Sequence, residues 1–139
     1  MMWSNKWVGT PYEALGRTED GVDCWGLVQI VYREELNITL PAYLGYASVE
    51  EHGEIANLIG AAKASQVWVP NTGQAYAFDV AVFRRGYLDT HVGIVVERGL
   101  MLHMDGDDCA KHTSYTSGQW CNRLTGIYRH VDVISQAAS

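Results

Sequence analysis

The chain has 139 residues, of which 47% are hydrophobic, with a formal net charge of -6 and a pI near 5.2. That length supports one core and not two comfortable ones, so a single domain is expected over residues 1–139, its core running from about residue 7 to 130. The acidic balance excludes a nucleic-acid binder, which needs a basic patch to meet phosphates, and disfavours anionic membranes. No run approaches the length of a membrane span, and the opening MMWSNKWVGT has one lysine and no apolar core of signal-peptide length. The expectation is a protein that stays inside the cell or is delivered by something other than a signal peptide.

Trp3 to Val8 is short and aromatic and suits a turn or two of helix. Gly9-Thr10-Pro11-Tyr12 follows as a turn into an extended entry, because Pro11 fixes its own φ and pushes Thr10 out of helical space. Leu15 to Val22, with Gly16, Asp20 and Gly21, is expected to be a loop. It leads to Asp23-Cys24-Trp25-Gly26-Leu27-Val28, around which the chain is organised. Asp23 is a helix-capping residue, and Leu27, Val28, Val31, Tyr32 and Leu36 continue with helical spacing, predicting a helix from Cys24 to about Leu36. Cys24 then lies in the first turn, where the positive end of the helix dipole favours thiolate over thiol. Gly26 inside a helix costs about 1 kcal/mol against Ala, so close approach of another element or of a substrate is expected there.

The stretch from Asn37 to Tyr46 is irregular, and Ser48-Val49-Glu50-Glu51 has the form of a capping box for a second helix from about Val49 to Ala64. Pro70-Asn71-Thr72-Gly73 is a turn cluster. Val80 to Phe83, His91 to Val96 and Leu100 to His103 are β-rich and predict a meander of antiparallel strands, and Thr125 to His130 adds a last strand before a frayed tail from Ser135 to Ser139. Helices first and strands afterwards indicate an α+β domain with helices packed on one side of an antiparallel sheet.

A thiol nucleophile needs a base within hydrogen-bond reach, and that base needs a group to fix its tautomer. If Glu97-Arg98-Gly99 forms a three-residue loop, Val96 faces Leu100, Gly93 faces His103, and His91 lies one diagonal step from His103 on the same sheet face. The resulting set is Cys24 as nucleophile, His91 as base and His103 as orienter. Each residue also has a bland reading: a lone cysteine is more often buried core, and a single strand histidine is more often just hydrogen-bonded. Cys24, His91, His103, Cys109, His112 and Cys121 are of the right type for zinc, but no Cys-x-x-Cys or tight His pair anchors such a site, so no metal or other cofactor is assigned. Three cysteines cannot all pair within one chain; Cys109 and Cys121 could do so in an oxidising compartment. Asp105, Asp107 and Asp108 lack the spacing of a calcium loop and suit a solvated acidic turn. His52 and His130 are taken as solvent-facing and structural, respectively.

Thr10-Pro11-Tyr12, the Asp23 to Val28 stretch, Asp79-Val80-Ala81-Val82-Phe83, His91-Val92-Gly93-Ile94 and His103 together resemble the NlpC-type bacterial cell-wall cysteine peptidases, in that family's order and with compatible spacing. The resemblance implies a compact papain-like fold, with Cys24, His91 and His103 catalytic. It places Tyr12, Asp23 and Trp25 on the oxyanion and substrate-binding side, with the backbone N–H of Cys24 helping to hold the oxyanion. The implied partner is a peptidoglycan stem peptide, cut between D-glutamate and the diamino acid; an amidase or acyl transferase on the same three residues and a structural tail-assembly protein are the alternatives. Two departures stand out: many members have Ser at the position of Trp25, and the segment from Asn37 to Ala77 is longer than in minimal members. The Trp25 variant and the ending Gly126-Ile127-Tyr128-Arg129 are similar to versions carried by phages and prophages as tail components, which implies tail-tip proteins as further partners and delivery to the wall by the tail.

Overall fold

The computed structural model describes residues 3–13, 17–18, 20–40, 67–85, 88–105 and 109–138. The anticipated second helix over Val49–Ala64, His52 and the acidic residues Asp107 and Asp108 lie outside them.

A 3-10 turn, Trp3–Trp7, buries Ser4 and Trp7, and the Trp7 carbonyl accepts from both the N–H and the hydroxyl of Thr10 at 3.1 and 2.7 Å. The chain then joins the edge of the main sheet: the Gly9 N–H reaches the Ala110 carbonyl, and the Ala110 N–H reaches the Thr10 carbonyl, each at 2.9 Å. Pro11 sits opposite Cys109, an edge position where a missing N–H costs nothing. Tyr12 next bridges Val22, held by bonds from the Val22 N–H to Pro11 and from the Glu13 N–H to Val22, each 3.0 Å. One extended segment thus ties the sheet edge to the residue preceding Asp23.

The stretch expected to be a loop before Asp23 instead holds a two-stranded ribbon, β1 (Arg17–Thr18) with β2 (Gly21–Val22). Strands of two residues are too short to show a periodic signal, so the sequence could not display them. Helix α1 spans Cys24–Leu36 as predicted. Asp23 Oδ1 accepts from the Gly26 N–H at 2.8 Å, and the helix ends on Asn37 in the left-handed region, φ 56°. Leu27, Val28, Ile30, Val31 and Tyr32 are all buried, so α1 is a central helix covered on several sides and not a surface helix with one apolar stripe.

The main sheet has six antiparallel strands: β3 (Trp68–Pro70), β4 (Val80–Arg85), β5 (Leu88–Glu97), β6 (Leu100–Asp105), β7 (Cys109–Ser114) and β8 (Leu124–His130), in the order β3-β8-β4-β5-β6-β7. The meander expected from the sequence is present as β4 to β6, and β7 extends it by one strand. The chain then passes through a short helix, α2 (Gly118–Cys121), and lays β8 against the far side of β4, a crossover that the strand pattern did not announce. Strand β7, Cys-Ala-Lys-His-Thr-Ser, was not anticipated because only Ala110 in it is fully buried and no apolar alternation marks it.

Both faces of the sheet are covered. Val80, Val82, Val92, Ile94, Val96, Leu102 and Met104 pack with the buried residues of α1, while Ala81, Phe83, Val95 and Met101 pack with Tyr115 and Trp120. Asp79, at the start of β4, is wholly buried. It accepts from Arg129 Nε at 2.8 Å, Arg129 Nη2 at 2.9 Å, Asn71 Nδ2 at 2.9 Å and the Tyr76 N–H at 3.0 Å. Its hydrogen bonds hold Arg129 above the ordinary guanidinium range. Next to it the Tyr32 hydroxyl donates to the carbonyl of Phe78, a residue at φ 73°, and burial, followed by the charge of Asp79, pushes the Tyr32 phenol far above its usual range. The turn read at Pro70–Gly73 is present, with Asn71 Oδ1 accepting from the Gly73 N–H at 3.0 Å.

The tail differs from expectation: residues 135–138 are not frayed but continue helix α3 (Val131–Ala138). His130 starts it, its Nδ1 accepting from the Asp132 N–H at 3.0 Å, while the Val131 N–H is bound to the Val67 carbonyl at 2.8 Å. His130 is structural, as expected, packed edge-on against Trp68 and Tyr32 at ring distances of 4.9 and 5.9 Å.

Candidate active site

The β5–β6 hairpin sets the geometry of the two histidines. The expected three-residue loop is not formed: Glu97, not Val96, faces Leu100, leaving Arg98-Gly99 as the turn, with Gly99 at φ 88°. A two-residue turn alone would shift every pair by one. A register shift between Val95 and Glu97 takes up the extra residue, so Gly93 still faces His103. His91 Nε2 consequently lies 2.8 Å from His103 Nδ1, with the rings perpendicular and 5.0 Å apart. The space at Gly93 is tight: a Cβ there would come within 2.6 Å of Met101 Sδ, which would have to shift, and 3.2 Å of His103 Cβ.

Two further residues complete this cluster. His103 Nε2 is 2.9 Å from Thr113 Oγ1, a diagonal contact from β7, because Lys111 is the direct partner of His103. The Trp120 indole stacks on His91 at 4.6 Å and 21°, and meets His103 edge-on at 5.1 Å. Phe83, the β4 partner of His91, closes another side at 5.9 Å. Both imidazoles are buried, His91 2% and His103 0% exposed. Sequence reasoning missed Thr113 and Trp120. A lone tryptophan in the polar run Ser117-Gly118-Gln119-Trp120 was a usable signal; a threonine in an unpatterned strand was not.

Cys24 is the first residue of α1, 5% exposed and counted in the cluster on the α1 side of the sheet. Helix α1 packs on β5 and β6, the strands that carry the histidines. Asp23 is buried and occupied as the helix cap. Trp25 is 2% exposed and packs edge-on to Trp68 at 6.4 Å, which makes its ring part of the core rather than the lining of an open groove. Tyr12 is partly exposed and fixed beside Val22.

The other candidate ligands are dispersed. His112 Nε2 lies 2.8 Å from the hydroxyl of buried Ser4, and Cys121 Sγ reaches the Gly118 carbonyl at 3.3 Å. Cys109 and Cys121 are thiols, not partners in a disulfide. Among the described residues no three His, Cys, Asp or Glu side chains converge to hold a metal ion.

This arrangement has close counterparts. The NlpC/p60 domain of the peptidoglycan hydrolase SagA shares the fold at a TM-score of 0.61 and 20% identity, covering 91% of this chain and 92% of that one. In sequence the chain is 27% identical over 123 residues to the murein DD-endopeptidase MepS/murein LD-carboxypeptidase of Escherichia coli (strain K12), 88% of this chain and 57% of that protein. It is 29% identical over 129 residues to the gamma-DL-glutamyl hydrolase of Bacillus subtilis (strain 168), 91% of this chain and 27% of that protein. The chain therefore spans little more than half, or less, of these curated relatives. The α+β papain-like arrangement expected from the sequence is present, and the family model matches residues 9–129: the chain belongs to the NlpC/P60 family.

Proposed function

We propose that the chain is a cysteine peptidase that hydrolyses an amide bond in peptidoglycan stem peptides, with the bond between D-glutamate and the diamino acid as its target. The observation that carries this reading is the buried His91–His103 pair on the strands against which α1 packs, with Cys24 at the N-terminal end of that helix. The names of the relatives support the substrate class: one is a murein endopeptidase, another a gamma-DL-glutamyl hydrolase, and the second favours the D-glutamyl bond.

The positive end of α1 favours the thiolate of Cys24, which attacks the amide carbonyl. The thiol proton passes to His91 and then to the leaving amine, giving a thioester; water activated by His91 then releases the acid. The tetrahedral oxyanion is held by the Cys24 N–H with the Tyr12 hydroxyl, the latter at a partly exposed position fixed beside the helix start. Asp23 and Trp25 act from beneath, one by capping α1 and the other by packing it on Trp68. Delivery by a phage or prophage tail belongs to the same proposal, on the similarity of Trp25 and the Gly126–Arg129 ending to tail-borne versions; mass spectrometry of purified particles would reveal the chain among their proteins.

The test is digestion of purified peptidoglycan by the wild type and by Cys24→Ala, with mass spectrometry of the products. New amino termini on the diamino acid are expected with the wild type and absent with the variant. Equal digestion by both, or none by a wild type whose Cys24 reacts with thiol probes, would sink the reading.

A further inference from the structure

The two histidines are linked to a hydroxyl, and that limits which of their nitrogens carry protons. A neutral imidazole has one N–H donor and one bare acceptor. With His91 Nε2 against His103 Nδ1 at 2.8 Å and His103 Nε2 against Thr113 Oγ1 at 2.9 Å, only two neutral patterns satisfy both contacts. In the first, His103 donates from Nε2 to Thr113 and accepts at Nδ1 from the Nε2–H of His91, so His91 presents a bare Nδ1. In the second, Thr113 donates to His103, His103 donates from Nδ1 to His91, and His91 carries its proton on Nδ1. Only the first leaves His91 able to receive a proton at its remaining nitrogen.

We infer that Thr113 is a positioning residue whose hydroxyl accepts from His103 Nε2 and thereby holds His91 in the Nε2–H tautomer, ready to take the Cys24 proton at Nδ1. This rests on His91 being the base of the proposed reaction. Three observations support it. The chain of contacts is buried at both imidazoles, so water cannot replace the missing partner freely. The rings cannot flip to evade it, because Trp120 stacks on His91 and stands edge-on to His103 while Phe83 closes another side of His91. Thr113 is placed by backbone pairing, Met101 opposite Thr113, so its position does not depend on a loop. Removing the hydroxyl takes the Thr113 acceptor away from His103 Nε2, a loss that weighs more on a buried N–H than on a lone pair, and the relay then shifts toward the pattern that blocks His91.

The direct test is 15N NMR of the ring nitrogens in protein labelled at histidine, where bare and protonated nitrogens resonate apart. In the wild type, Nε2–H forms are expected at both His91 and His103; an Nδ1–H form at either overturns the inference without any variant. In Thr113→Val the Nδ1–H forms should grow. Alkylation of Cys24 by iodoacetamide, followed at its own peptide by mass spectrometry, and digestion of peptidoglycan should both slow by about 10–100-fold, as when a partner that orients a functional histidine is lost. Thr113→Ser, which keeps the hydroxyl, should restore most of both rates. A serine variant as slow as the valine variant, or a valine variant with wild-type tautomers and alkylation, refutes the role. If the wild type alkylates at Cys24 and shows the expected tautomers yet digests no wall, the substrate assignment fails and the role of Thr113 stands.

Discussion

Two buried polar clusters are built into one sheet, and they are built for opposite purposes. At the start of β4, Asp79 accepts four hydrogen bonds, two of them from a guanidinium, so every group has a fixed charge and a fixed direction. Across β5, β6 and β7, the chain His91–His103–Thr113 contains only groups that can both donate and accept. A charged cluster with every acceptor filled cannot release a proton without stranding a buried charge. A neutral one can take up or pass on a proton without stranding a buried counterion. The first is a lock between β4, β8 and the turn at Asn71; the second is where proton movement is cheap.

Changing each cluster should therefore damage a different property. The largest effect belongs to the neutral one: His91→Gln should lower kcat/KM on peptidoglycan by about 10²–10⁴-fold, the range for losing a general base, with little change in the urea midpoint. Asp79→Asn should do the reverse. It leaves the Arg129 guanidinium without its counterion, and because that side chain is 25% exposed the low end of the usual range applies, about 3 kcal/mol, read by urea denaturation with activity per folded molecule retained. If Asp79→Asn abolished activity in a folded protein, the division of labour would be wrong.

Gly93→Ala tests the boundary. Its Cβ presses on Met101 Sδ and His103 Cβ, so we expect about 1–3 kcal/mol of overpacking together with reduced alkylation of Cys24. Tyr32→Phe removes the bond to the Phe78 carbonyl and should cost about 1 kcal/mol with unchanged kinetics. The smallest effect is one of pH. Burial pushes the pKa of His130 down, with Asp132 partly opposing it. The unfolded chain then binds this proton more readily than the folded one, so the stabilisation is full above about pH 6.5 and is lost as pH falls through the lowered value. His130→Asn should flatten that acid-side decline in denaturation midpoints measured from pH 7.5 to 5; an unchanged slope would assign it to other groups.

What was legible beforehand was local. Asp23 capping α1 is a contact over three residues, and the helix end at Leu36 is followed at once by Asn37 in the left-handed region that suits it. The facing of Gly93 and His103 was predicted as well, but for the wrong reason: the turn is one residue shorter and a register shift restores the pair. The burial of Trp25 could not be seen, because it depends on Trp68 arriving from beyond a long intervening segment.

The sequence by itself determined α1 and its cap, the order of the motifs, the meander and the two histidines, since each rests on spacing within a few residues or across one hairpin. Only the tertiary structure decided that β8 returns to β4, that Asp79 meets Arg129, and that Thr113 and Trp120 enclose the imidazoles. Contacts of that kind join residues ten to fifty positions apart through strand pairing and side-chain packing, and neither periodicity nor capping carries a signal for them.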